Sequence, residues 1–106
     1  MDITFSDEAV RGLCCCRADL VRRFGANLAK RICCRLSVLA STPTLAHVPT
    51  VPPIGLTPID EGGTYSVRLG FGYELVFRVP AGGDPTKITE IEIIGPTPVP
   101  ATRGKK

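Results

Sequence analysis

YSVRLGFGYELVFRV, residues 65–79, decides the fold. Two alternating segments, TYSVRL (64–69) and YELVFRV (73–79), flank Gly70-Phe71-Gly72. Glycines on either side of a tight loop between alternating segments signal a β-hairpin. Alternate residues of a strand share a face. Val67 and Leu69 therefore share one, Leu75, Phe77 and Val79 share one on the partner strand, and together they make the expected core face. Arg68, Glu74 and Arg78 point the other way. Two guanidiniums on one exposed sheet face make a phosphate-sized site, because each presents planar donors matched to phosphate oxygens. The competing reading is a pair of solvated outer-face arginines with Glu74 between them as a salt-bridge partner.

Upstream of the hairpin the chain reads as helical. DITF (2–5) is a short strand candidate. Ser6 is the expected N-cap of a first helix from Asp7 to Cys16, because its hydroxyl can accept from a free backbone N–H of the first turn. Asp7 and Glu8 put negative charge where a helix N-terminus favours it. RADLVRRFG adds another turn or two and ends at Gly25. In ANLAKRICCRLSVLAS (26–41), Leu28, Ala29, Ile32, Cys33, Leu36, Leu39 and Ala40 fall on one face, with Lys30, Arg31 and Arg35 elsewhere. Pro43 stops this helix. TPTLAHVPTVPPIGLTPIDEGG (42–63) holds five prolines, which exclude a long helix and a central strand. It reads as an extended surface excursion with GLTPI as a short edge strand.

Downstream, AGGDPT (81–86) is a second turn, and KITEIEII (87–94) is a strand with Ile88, Ile91 and Ile93 as its apolar residues. Its alternation slips by one residue. The tail GPTPVPATRGKK is proline-rich and ends basic, and is expected outside the sheet. No internal repeat is visible. The order is β-α-α-β-β-β, an α+β domain with two N-terminal helices packed on a small antiparallel sheet. Residues 1–94 form the single domain, and 95–106 a proline-rich basic tail.

Composition agrees with one modest core: 106 residues, 43% hydrophobic and 22% charged. The net charge of +3 permits an acidic partner such as RNA without demanding one. No basic segment precedes an apolar leader, and no apolar run approaches the length of a membrane span. The cysteines stand as Cys14-Cys15-Cys16 and Cys33-Cys34. Adjacent cysteines on a helix point in different directions, so this is no disulfide framework, and a reducing cytoplasm is expected. Zinc spacing is missing and His47 is the single histidine, so no metal or cofactor is expected, and the cysteines read as small buried hydrophobes. Nothing pairs a cysteine with His47 as a nucleophile. His47 itself is either incidental or a general base with a suitable pKa. Between Arg11 and Arg35, seven basic residues face the single Asp19. Arg22, Arg23, Lys30, Arg31 and Arg35 are candidates for an RNA backbone, or else a solvated helix surface. No aromatic platform accompanies them, so binding by base stacking is not indicated.

FSDEAVRGL (5–13), RRFGANLAKRI (22–32), YSVRLGFGYELVFRV and ITEIEII (88–94), in that order, resemble the RelE/HigB-type toxins, the plasmid-maintenance killer-protein group of the RelE/ParE superfamily. The hairpin carries most of it: relatives typically read S-V-R-L, a short turn, then Y-R-L-V-F. The resemblance implies the RelE-like microbial-RNase toxin fold and a bacterial type II toxin. Such toxins are mRNA endoribonucleases that inhibit translation, many of them on the ribosome. A cognate antitoxin neutralises them, in the HigB branch a helix-turn-helix, HigA-like protein.

Cleavage of this kind attacks with the ribose 2′-OH, and needs a base, a cation for the phosphate and an acid for the leaving oxygen. Arg68 matches the family's hairpin arginine, a phosphate stabiliser, with Arg78 beside it. Tyr73 matches the tyrosine that opens the next strand, though its parity with Leu75 suggests packing as much as chemistry. His47 or Glu74 would be the base. Three departures stand out. Glu74 replaces an arginine, GLTPI (55–59) replaces a basic, histidine-bearing loop, and PTPVP (96–100) replaces a terminal Asp-Tyr-His. These departures keep two alternatives open: a catalytically weakened homologue that binds an antitoxin or the ribosome, and a ParE-like protein that acts on DNA gyrase.

Overall fold

The hairpin forms where the alternation puts it. The computed structural model describes residues 1–51, 54–59, 63–79 and 85–99. Strands β3 (Thr64–Gly70) and β4 (Tyr73–Arg78) pair antiparallel, with Val67 opposite Leu75 and Arg68 opposite Glu74; β1 (Asp2–Phe5) and β2 (Thr57–Pro58) precede them in the chain. Val67, Leu69, Leu75 and Phe77 are fully buried, as the shared face requires. Tyr65 stacks on Phe77 across the pair, ring centroids 6.0 Å apart. The turn takes left-handed backbone at three successive residues: φ is 86° at Gly70, 55° at Phe71 and 79° at Gly72.

β5 (Glu90–Pro98) joins the other edge of β4 antiparallel, and β2 extends β3 in the same sense. The sheet order is β1-β5-β4-β3-β2. The sheet is mixed rather than purely antiparallel, because β1 lies parallel to β5, with Ile3 opposite Ile91 and Phe5 opposite Ile93. A parallel pair needs a long crossover, and here everything between β1 and β5 supplies it. The slip in the last strand is also resolved. Ile88 is buried ahead of the strand, after a 3-10 turn at Pro85–Lys87, while Ile91 and Ile93 alternate within it. The rest of the expected 81–86 turn lies outside the described residues.

The tail enters the sheet further than expected. Gly95, Pro96, Thr97 and Pro98 pair with Val76, Leu75, Glu74 and Tyr73, after a register shift that Gly95 accommodates at φ 137°. Among the described residues, this strand has no partner on the β1 side beyond Ile93. The Val99 N–H donates to the Gly72 carbonyl at 2.8 Å. By strand alternation Pro96 and Pro98, which lack an N–H, turn that position to the open edge, where it costs no ladder bond. Residues 100–106 lie outside the described residues.

Three helices cover one face of the sheet among the described residues, where two were expected. In α1 (Glu8–Cys15) the cap is Asp7, not Ser6: its carboxylate accepts from the Val10 N–H at 2.8 Å. Cys16 is extended (φ −120°, ψ 104°) and separates α1 from α2 (Arg17–Phe24). The break lets each short helix bury one residue, Cys14 and Leu20. Gly25 at φ 88° then turns the chain into α3 (Ala26–Ser41). Leu28, Ala29, Ile32 and Leu39 are buried as expected, but Arg35 is buried with them and Ala40 is exposed. The segment after α3 is anchored by Leu45, whose N–H donates to the Ile88 carbonyl, and by Val48; both are buried.

Candidate functional site

Arg68 stands on the outer face of β3, two residues before the hairpin turn. Its N–H donates to the Ile54 carbonyl at 2.7 Å, which ties the proline-rich excursion to this strand. Its side chain lies along Gly55: a β-carbon there would come within 3.0 Å of Arg68 Cδ. Gly55 also has φ 59°, a backbone conformation that favours glycine, and any side chain there would push the Arg68 side chain aside. Arg68 is exposed and makes no ion pair among the described residues. Directly across the ladder is Glu74, 4% exposed. Opposed residues of an antiparallel pair have β-carbons about 5 Å apart. An exposed guanidinium and a buried carboxylate thus share one patch of the outer face.

The structure does not bring Arg78 into that patch. It lies four residues beyond Glu74, about 13 Å along β4. Its guanidinium leans the other way, onto Glu92 of β5, with Nη2–Oε1 at 2.5 Å and Nε–Oε1 at 3.2 Å. The carboxylate partner of Arg78 is therefore Glu92 rather than Glu74. Tyr73 is on the core side, half-buried and edge-on to Phe24 with centroids 5.7 Å apart. It packs, as its parity with Leu75 suggested. His47 sits on a 3-10 turn (Leu45–His47), exposed, with Nδ1 2.8 Å from Thr44 Oγ1. The Leu45–Ile88 hydrogen bond places this turn beside the start of β5, and the register puts that end of the sheet opposite the hairpin tip. Of the two candidate bases, only Glu74 is beside Arg68.

The basic helical residues divide by task. Arg22 pairs with Asp19 on the surface of α2. Lys30 is exposed. Arg35 is not a free surface cation: its Nε donates to the Arg68 carbonyl at 2.8 Å. One turn earlier on α3, Arg31 Nη1 approaches the Leu69 carbonyl at 3.4 Å. These two side chains tie the end of β3 to α3 and hold Arg68 at its position.

Aromatic rings join the basic zone at the hairpin tip, contrary to the reading from sequence. The Arg31 guanidinium lies over Phe71 at 5.0 Å from the ring centroid, and Arg23 lies over Phe24 at 6.0 Å. Phe24 in turn meets Tyr73, which pairs with Gly70 of the turn. Phe71 is 61% exposed. An exposed cation–π contact is worth about 0.5–1 kcal/mol, whereas left-handed backbone at a non-glycine residue costs of order 1–3 kcal/mol. The contact with Arg31 therefore does not by itself account for a phenylalanine at this position. The signal in the sequence was the aromatic residue between two turn glycines.

Cys14 is a poor nucleophile by this geometry. Burial pushes the Cys14 thiol up to about 11, helped by Cys15 and Cys33 nearby. Only Cys14 fits the buried-hydrophobe reading fully; Cys16 and Cys33 are half-buried, and Cys15 and Cys34 are exposed. No group of three histidine, cysteine or acidic residues that could hold a metal ion occurs among the described residues. Nor is any helix among them long and apolar enough to cross a membrane.

With this geometry in place, the chain can be compared with known proteins. It is 16% identical to a YoeB/ParE toxin from Agrobacterium tumefaciens, with a TM-score of 0.57 over 92% of this chain and 98% of that one. The fold is that of a YoeB/ParE toxin. At this identity the likeness is one of architecture, and it agrees with the RelE-like α+β fold that the hairpin and helix motifs implied. No protein-family model matches the chain, and no curated protein matches it.

Proposed function

We propose that the protein is the toxin of a bacterial type II toxin–antitoxin pair and cleaves mRNA, with Arg68 and Glu74 as its reacting groups. The observation that carries this reading is their direct opposition on the outer face of a toxin-type sheet. Glu74 accepts the proton of a ribose 2′-OH as that oxygen attacks the adjacent phosphorus. Arg68 holds the non-bridging oxygens as their charge grows. The product is a 2′,3′-cyclic phosphate and a free 5′-OH. No acid stands beside the pair among the described residues, so the leaving oxygen takes its proton from water, and cleavage is slow relative to an enzyme with a placed acid. Arg31 and Arg35 position Arg68 through the backbone of β3, and Arg23 and Lys30 supply cations for flanking phosphates. A cognate antitoxin neutralises the protein; a HigA-like helix-turn-helix protein fits the resemblance to the HigB branch.

The end of β5 favours a second reading. Residues 96–99, Pro-Thr-Pro-Val, run into the sheet where relatives carry Asp-Tyr-His, and offer no acid or base. In that reading the protein binds an antitoxin or the ribosome without cutting RNA, or acts on gyrase. Incubating the purified protein with a translating extract and capturing 2′,3′-cyclic phosphate ends decides between them. Ends that disappear in both Arg68→Ala and Glu74→Gln support the ribonuclease. A folded wild-type protein that leaves no such ends supports the binding reading.

A further inference from the structure

Phe71 is costly to the fold in two ways at once. It holds left-handed backbone at φ 55°, where a β-carbon is unfavourable, and its ring is 61% exposed. Glycine or asparagine would close this turn with less strain. Among the described residues it is also the sole aromatic among the exposed large hydrophobics, which otherwise are Val21 and Val51. One side of the ring carries the Arg31 guanidinium. Arg31 spends one N–H on the Leu69 carbonyl, and neither it nor Arg23 makes an ion pair with a carboxylate among the described residues. The tip of the hairpin is therefore an open aromatic face backed by the Arg31 guanidinium, which has no carboxylate ion-pair partner among the described residues.

We propose that this tip is a stacking platform for one base of a single-stranded RNA, with Phe71 under the base and Arg31 and Arg23 on the flanking phosphates. The inference rests on the reading of the protein as RNA-directed. Every base has a π-face, so such a contact is tolerant of sequence, and a guanidinium behind the ring strengthens it. Phe71 lies three residues beyond Arg68, in the turn that ends the Arg68 strand. An RNA strand held at Phe71 is thereby presented to Arg68 and Glu74 at a fixed distance, which gives the platform a positioning role in cleavage.

The test uses a short single-stranded RNA, fully 2′-O-methylated so that it cannot be cleaved, with 2-aminopurine at successive positions. The wild-type protein is expected to quench one position by stacking and to bind less tightly as salt rises. Phe71→Leu should lose that quenching and bind about tenfold more weakly, and Phe71→Trp should recover both. Thermal unfolding of each variant shows that the fold is kept. If Phe71→Leu binds as tightly as wild type with the quenching intact, or the wild type binds no RNA, the platform is overturned. Unaltered RNA binding in Phe71→Leu together with cyclic-phosphate ends from the wild type would leave the ribonuclease standing and assign Phe71 to a protein contact instead.

Discussion

Two residues carry more of the fold than their size suggests. Gly70 has φ 86°, and a β-carbon there would come within 2.8 Å of Arg31 Nη1. The nearby atom is the end of a flexible side chain and can move aside; the backbone cannot. Gly70→Ala should therefore destabilise the protein by about 1–2 kcal/mol in denaturant unfolding. Cys14 makes stability depend on alkaline pH. Its thiol is raised from 9.0 to about 11, first by burial and then by Cys15 and Cys33. Between those values the folded state holds a proton that the unfolded state has released. Stability should be undiminished below pH 9 and fall as the pH rises toward 11. Unfolding of Cys14→Ala across the same range should show a flatter pH dependence.

At the scale of elements, the strands were legible and the helix junctions were not. Val67, Leu69, Leu75 and Phe77 alternate in sequence and are buried in the structure, because a period of two has one solution once a face is covered. Ser6 is the expected cap of α1, but aspartate suits that position as well as serine does. Asp7 holds it through its bond to Val10. Asp7→Ala should cost about 1 kcal/mol, with Ser6→Ala near neutral, in paired thermal melts. The burial of Arg35 was hidden because a charged residue reads as solvent-facing and is assigned off the apolar face, whereas its Nε reaches the Arg68 carbonyl and the side chain is buried. Arg35→Met keeps the stem and leaves that carbonyl without its donor, so a loss of roughly 1–3 kcal/mol is expected. Arg23→Ala should cost no more than about 1 kcal/mol, the worth of its exposed contact with Phe24, and lower RNA affinity, which separates the two roles assigned to the basic helices.

Across the whole molecule, sequence patterns gave the α+β class and the order of elements, but could not give what meets what. Arg68 and Arg78 share a strand face by parity, yet register and lean carry one toward Gly55 and the other onto Glu92. The parallel pairing of β1 with β5 joins segments with nearly the whole chain between them. The aromatic tip collects Phe24 from the end of α2 and Phe71 from the hairpin, a convergence no local pattern encodes. The functional account stands on one such meeting, Arg68 across from Glu74. Mapping transcript 5′ ends after induced expression in a bacterial host, with Arg68→Ala as the control, tests it most directly. The account predicts new ends bearing 5′-OH within coding regions, absent when Arg68 is alanine and the protein is still folded. New ends that persist in folded Arg68→Ala, or none at all with soluble wild-type protein, would contradict it.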